Sequence, residues 1–240
     1  TAYGRPLWKA NCEKGEAVDT DDEVCPLLIG EQSPVKVDHD MQTTIPGLYA
    51  IGDASYCGST APGAVPAPPG RNRGSGILNA VFAGLISAES AAGYAKNNKA
   101  LPLAQTQIDA CAAWAYAPLN RENGCDPREV IALVQQAVGP MEYSVYMSHH
   151  RIDIAKRIVA AARAKVPEMT ARDFHGLLTC HEAEAMVLSA EMQFGAADMS
   201  KESRGWFLRE DYPVMDNKNW LKWITVQNQN GAMVFNTEDV

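Results

Sequence analysis

Apolar and polar positions along this chain repeat with two different periods, and the change of period divides it. Leu48-Tyr49-Ala50-Ile51 is a short apolar run closed by Gly52-Asp53. It reads as a buried strand with a carboxylate at its carboxyl end. Upstream, Val35-Lys36-Val37-Asp38 alternates like a second strand, and Met41 to Thr44 leads into the first through a Pro-Gly turn. Downstream, Pro62, Pro66, Pro68 and Pro69 fall among Ala and Gly between Gly58 and Gly70. Proline fixes φ and removes an amide donor, so this stretch is expected to be a loop. Beyond it Ile77, Leu78, Val81, Phe82, Leu85 and Ile86 recur at helical spacing behind Gly74-Ser75-Gly76. A helix opening at those glycines is expected.

From Leu101 the pattern becomes helical. Asp126-Pro127-Arg128-Glu129 has the residues of a helix start: Asp at the N-cap, Pro at the first position, Glu placed to reach back. That helix should stop at Gly139-Pro140. Ser148 can cap the next, whose Ile152, Ala155, Ile158, Val159 and Ala162 share a face as far as Pro167. Thr170-Ala171-Arg172-Asp173 can cap a third, long helix through Leu177, Leu178, Met186, Leu188 and Met192. Three successive amphipathic helices predict a bundle. The tail from Trp206 reads as irregular, with a closing strand at Ala232 to Phe235.

Composition narrows the class. The chain has 240 residues, 46% hydrophobic and 21% charged, with a net charge of -8. An acidic balance argues against nucleic acid, whose phosphates need clustered Lys and Arg. No apolar run is long enough to cross a bilayer. Six cysteines, Cys12, Cys25, Cys57, Cys111, Cys125 and Cys180, lie far apart without a CxxC pair. Reduced structural thiols in a cytoplasmic setting are therefore expected, and any iron–sulfur relay would sit on another subunit. The acidic run at Asp19, Asp21, Asp22 and Glu23 reads as a solvated face. No metal pair is spaced along a helix: His175 and His181 are six apart, and capping or interior hydrogen bonding suits the histidines better.

The residues that could carry chemistry gather at the strand end and the helix start. Asp53, after Gly52 and before Ala54, could accept hydrogen bonds from ligand hydroxyls, as acids at strand ends of open α/β sheets do; its plainer role is to stabilise a turn. Gly74, Ser75, Gly76 and Ile77 offer backbone amides at the positive end of a helix dipole, where negative charge is stabilised. Arg71 and Arg73, always charged and planar, suit an anionic substrate; their plainer role is a surface loop. Glu202, Arg204, Arg209 and Asp211 are expected to form a structural ion network. No GxGxxG strand–turn–helix for a dinucleotide pyrophosphate is present.

IPGLYAIGD, a loop, a basic-glycine turn and ILNAVFAG resemble the second flavin-contacting segment of the fumarate reductase/succinate dehydrogenase flavoprotein superfamily, to which adenylylsulfate reductase alpha subunits also belong. Lys201-Glu202-Ser203-Arg204-Gly205, Arg209-Glu210-Asp211-Tyr212-Pro213 and Asn219-Trp220-Leu221-Lys222 resemble its C-terminal signature. The resemblance implies an α/β fold: the C-terminal part of a Rossmann-like FAD-binding domain over residues 35–100, preceded by the end of a capping domain (1–34) and followed by a helical C-terminal domain (101–240). It implies an FAD-dependent oxidoreductase moving a hydride between flavin and a small organic substrate. Gly52, Asp53, Ala54 and Gly74 to Ile77 would meet the flavin, and Arg71 or Arg73 the substrate. The partners implied are the N-terminal part of the same flavoprotein and an iron–sulfur or other electron-transfer subunit, with peripheral membrane attachment through a partner left open. Because the pyrophosphate motif of that family lies near its amino terminus, the chain is expected to be the C-terminal part of a longer flavoprotein, or one half of a split one.

The match is imperfect. The dicarboxylate branch has a histidine before its substrate arginine, where this chain has Pro68-Pro69-Gly70, and Ala-His where it has Trp206-Phe207. A larger or less charged substrate than fumarate is the expectation. A non-catalytic helical docking half and an adenylylsulfate reductase-like enzyme are the alternatives.

Overall fold

A computed structural model of the chain describes residues 35–55, 76–204 and 207–239. The expected loop 58–70 and the end of a capping domain at 1–34 lie outside them. Among the described residues the fold is mixed helix and sheet. Helix α1 is Gly76–Asn97 and α2 is Gln105–Tyr116. After a 3-10 turn, Ala117–Asn120, come α3 (Pro127–Val138), the single turn α4 (Met141–Ser144) and the short strand β1 (Tyr146–Met147). Then follow α5 (His149–Lys165), α6 (Phe174–Met199), β2 (Leu208–Arg209), the single turn α7 (Asn217–Trp220), and β3 (Lys222–Gln229) with β4 (Ala232–Asp239).

The helix boundaries follow from their caps. Asp126 accepts the Arg128 amide at 2.9 Å and Asp173 the Gly176 amide at 2.7 Å, each relieving one of the unpaired donors at a helix start. Ser148 accepts more loosely from the Arg151 amide, at 3.4 Å. Glu129, expected to reach back in a capping box, instead takes the Lys165 ammonium at 3.0 Å. This ties α3 to the end of α5.

The core is the contact surface of α3, α5 and α6. Val130, Val134 and Ala137 face in from α3, and Ile152, Ala155, Val159 and Ala162 from α5. On α6 the buried line is Leu177, Cys180, Ala183, Val187, Ala190, Phe194 and Ala197. Leu178 and Leu188 are exposed, and small residues take most of the inner positions. An alanine line lets the facing helices approach closely, with Phe194 filling the remaining depth. Arg209, 2% exposed, caps the end of α6 by donating to the carbonyls of Ala197 and Ser200 at 2.6 and 2.8 Å. Its other donors form a two-pronged pair with Asp211. Glu202 and Arg204 pair separately. The four ionic residues thus brace α6 and the tail.

The tail is more regular than expected. β3 and β4 form an antiparallel hairpin registered from Lys222↔Asp239 to Gln229↔Ala232. Asn230 and Gly231 turn it, with φ of 54° and 86°. Positive φ at both central residues belongs to the type I′ turn, whose twist matches a hairpin. The hairpin lies on α6 where Phe235 covers Gly195; a Cβ there would sit 2.2 Å from the Phe235 ring. β1 and β2 pair in parallel.

The amino-terminal region departs from expectation in the other direction. Leu48–Ile51 is not a sheet strand in this chain. It makes one antiparallel bridge, Gln42↔Tyr49, and only Ala50 is buried, while Leu48 and Ile51 are 50% and 42% exposed. Residues 35–38 have no ladder partner. Neither run has neighbouring strands to pair with among the described residues, and an isolated strand pair is marginal in water.

Candidate functional site

Residues 35–55 form a closed excursion. Asp38 accepts the amides of Asp40 and Gln42, each at 2.9 Å, and turns the chain through Met41 at φ 64°. Thr43 donates to the Leu48 carbonyl and Ala50 to that of Met41, so the chain goes out, reverses at Pro46-Gly47 and returns. The Val35 amide closes the excursion onto the Ala54 carbonyl at 2.7 Å.

The returning limb runs down α1 from its carboxyl to its amino end. Gly47 lies under Tyr94, the Tyr49 hydroxyl meets Ser90 at 3.2 Å, Ile51 lies against Gly84, and Gly52 lies against Ala80. Gly52 adopts φ 61° and begins the 3-10 turn Gly52–Ala54; a Cβ there would stand 3.2 Å from that of Ala80. Glycine is required twice over, for the left-handed backbone and for the close approach.

This geometry brings one half of the expected site together. Gly52, Asp53 and Ala54 occupy the turn at the end of the returning limb, packed on the first turns of the helix that Gly76 and Ile77 begin. A limb antiparallel to the following helix, with its carboxyl end beside the helix amino end, is the arrangement that collects free amides near a carboxylate-bearing turn. Arg71, Arg73, Gly74 and Ser75 lie outside the described residues. Sequence reading missed the ledge on α1 that receives the limb: Ala80, Gly84, Ser90 and Tyr94. Its signal was available as small residues one helical turn apart, Ala80 and Gly84.

The other face of α1 is bare. Ile77, Leu78, Val81, Phe82 and Leu85 are all more than half exposed, with Ile77 at 82% and Leu85 at 70%. A helix apolar on more than one side belongs in the interior of a larger body.

The remaining polar groups have structural partners. Nε2 of His181 lies 3.0 Å from the Ala115 carbonyl and its ring sits beside Trp114, an interior role of the kind expected of the histidines. Cys125 and Cys180 donate to the carbonyls of Lys165 and Thr170, and burial raises both thiols, which keeps them protonated and unreactive. Burial alone would raise the Asp198 carboxyl, yet hydrogen bonds with Lys156 and His149 outweigh it and hold it low. The Arg209 guanidinium holds Asp211 down to about 2. Among the described residues no three His, Cys, Asp or Glu groups gather as metal ligands, and no helix is long and apolar enough to cross a membrane. Phe207, at a position considered for substrate contact, packs on the helical core.

Comparison with known proteins gives a consistent pattern. Residues 132–240 match the family described as fumarate reductase flavoprotein, C-terminal. Over 201 residues the chain is 27% identical to the mitochondrial succinate dehydrogenase (ubiquinone) flavoprotein subunit of Oryza sativa subsp. japonica, covering 80% of this chain and 30% of that one. Adenylylsulfate reductase from Archaeoglobus fulgidus superposes with a TM-score of 0.69 at 19% identity, over 89% of this chain and 35% of the other. Quinol fumarate reductase of E. coli superposes with a TM-score of 0.73 at 19% identity, over 86% and 36%. The chain thus spans about a third of the length of these relatives.

Proposed function

We propose that this chain, whose residues 132–240 match the C-terminal part of the fumarate reductase flavoprotein family, belongs to that superfamily and supplies the second flavin-contacting segment and the helical domain of an FAD-dependent oxidoreductase. On this reading residues 35–100 complete a Rossmann-like FAD-binding domain and residues 101–240 form the helical domain. The observation that carries the proposal is the Gly52 turn seated on the amino end of α1. The left-handed glycine lets the turn close onto Ala80, which sets the Gly52–Ala54 backbone beside the start of α1, an arrangement that suits a flavin.

The flavin, when bound, supplies the hydride chemistry. The chain's own residues bind and orient it. Asp53 accepts hydrogen bonds from hydroxyls of the flavin side chain, and the amides at Gly76 and Ile77 face the ring edge that gathers negative charge on reduction. Arg71 and Arg73 clamp an anionic group of a small organic substrate. The N-terminal part of the same flavoprotein covers Ile77, Leu78, Val81, Phe82 and Leu85 on α1, and an electron-transfer subunit delivers or removes electrons. Peripheral membrane attachment runs through such a partner.

The test is FAD binding followed by flavin fluorescence and absorbance, with the chain joined to a full-length flavoprotein of the family in place of the matching third. Binding lost in Gly52→Val and weakened in Asp53→Asn, with the fold intact by circular dichroism, supports the proposal. Binding unchanged in both overturns it. The exposed α1 face also fits a second reading, a non-catalytic docking half. That reading gains if the chimaera assembles with Gly52→Val and retains its flavin. Turnover of adenylylsulfate with an artificial donor would shift the substrate class toward sulfur chemistry.

A further inference from the structure

The described residues fall into two packed bodies. Residues 35–55 and 76–97 close on each other through the limb and α1, and residues 105–204 and 207–239 close through the helical core and the hairpin. Between them residues 98–104 pass without regular structure, and Leu101 and Leu103 stand in solvent at 87% and 85% exposure. Among the described residues one hydrogen-bonded contact spans the two bodies: the Lys36 ammonium donates to Glu238 near the end of β4. Lys36 follows Val35, whose amide holds the Ala54 carbonyl. Glu238 stands opposite Trp223 in the hairpin register.

We infer that Lys36 and Glu238 form an ionic latch, sensitive to salt, that holds the carboxyl-terminal hairpin against the excursion bearing the Gly52 turn. Both partners are partly exposed, at 59% and 42%. An exposed pair is weak and screened by ions, so the latch shifts the ratio of closed to open arrangements by up to about fivefold. Its location gives it leverage: opening frees Val35 and with it the hydrogen bond that fixes Ala54. The connection at 98–104 allows movement without unfolding either body. This inference does not depend on the identity of the ligand at the Gly52 turn.

Hydrogen exchange of the full chain, read by mass spectrometry, tests it. Glu238→Gln and Lys36→Gln should each speed exchange in peptides covering 35–55 by about two- to fivefold at low salt, while peptides from α5 and α6 keep their protection and report an intact fold. Raising the salt to about 0.5 M, where the screening length is only a few ångströms, should bring the parent chain to the level of the variants and leave the variants unchanged. Reversing both charges together, Lys36→Glu with Glu238→Lys, should restore slow exchange. Equal rates in the parent and both single variants at low salt would overturn the latch, as would failure of the reversed pair to restore protection.

Discussion

The two bodies of this chain solve the burial of apolar surface in opposite ways. In the helical core, α3, α5 and α6 turn their apolar lines toward one another. In the amino-terminal body, α1 hides only the ledge that receives the returning limb and leaves Ile77, Leu78, Val81, Phe82 and Leu85 uncovered. The same rule of helical periodicity made both. Among the described residues, one set of apolar side chains packs on itself and the other lacks cover. On the proposed function, the helical domain anchors a segment that the rest of the flavoprotein would complete.

Substitutions can break or sharpen this contrast. Phe194 is fully buried among small residues, so Phe194→Ala should cost about 3–5 kcal/mol in a denaturant melt of the chain. A loss below about 1 kcal/mol would mean that the core is not the self-sufficient unit described. Acid should remove the next largest amount. The folded Asp211 carboxyl titrates at about 2 against an ordinary 3.8. Its contribution is fully present above pH 3.8 and is lost as pH falls through 2. Because Asp211 stands at the surface, solvent screening cuts its contribution to about 1 kcal/mol, and Asp211→Asn should flatten this part of the stability profile. Asp173→Ala removes the cap on α6 and should cost about 1 kcal/mol, read by the same melt. Phe82→Ser on the bare face of α1 should change the stability of the chain by no more than about 0.5 kcal/mol. In an assembled flavoprotein the same change should cost several times as much, and an equal cost in both settings would erase the contrast.

Local signals in the sequence were readable wherever the chain supplies its own context. Asp126-Pro127 and Asp173 marked helix starts that the structure keeps, because a cap depends on residues within three positions of it. The inner face of α6 is not legible from residue type, since Leu178 and Leu188 are exposed. Only the closeness demanded by α3 and α5 selects Ala183 and Ala190 instead. The hairpin was legible and overlooked: Asn230-Gly231 between two runs rich in β-branched and aromatic residues is the strongest short-range sign of one. At the candidate site, Gly52 and the opening of α1 were legible through glycine placement. The depth of the Leu48–Ile51 run was not, since strand burial depends on neighbours distant in sequence, and among the described residues this run makes a single bridge, Gln42↔Tyr49. The roles of Arg71 and Arg73 still rest on the resemblance of their surroundings.

The hollow at Gly195 has a practical consequence. The Phe235 ring occupies the space that any side chain there would claim, so the union of ribbon and rod hangs on one missing carbon. Gly195→Ala would work as a release key, lifting the terminal ribbon while the three-rod scaffold beneath stays shut. An experimenter could then ask what the ribbon alone contributes to assembly, without cutting the polypeptide.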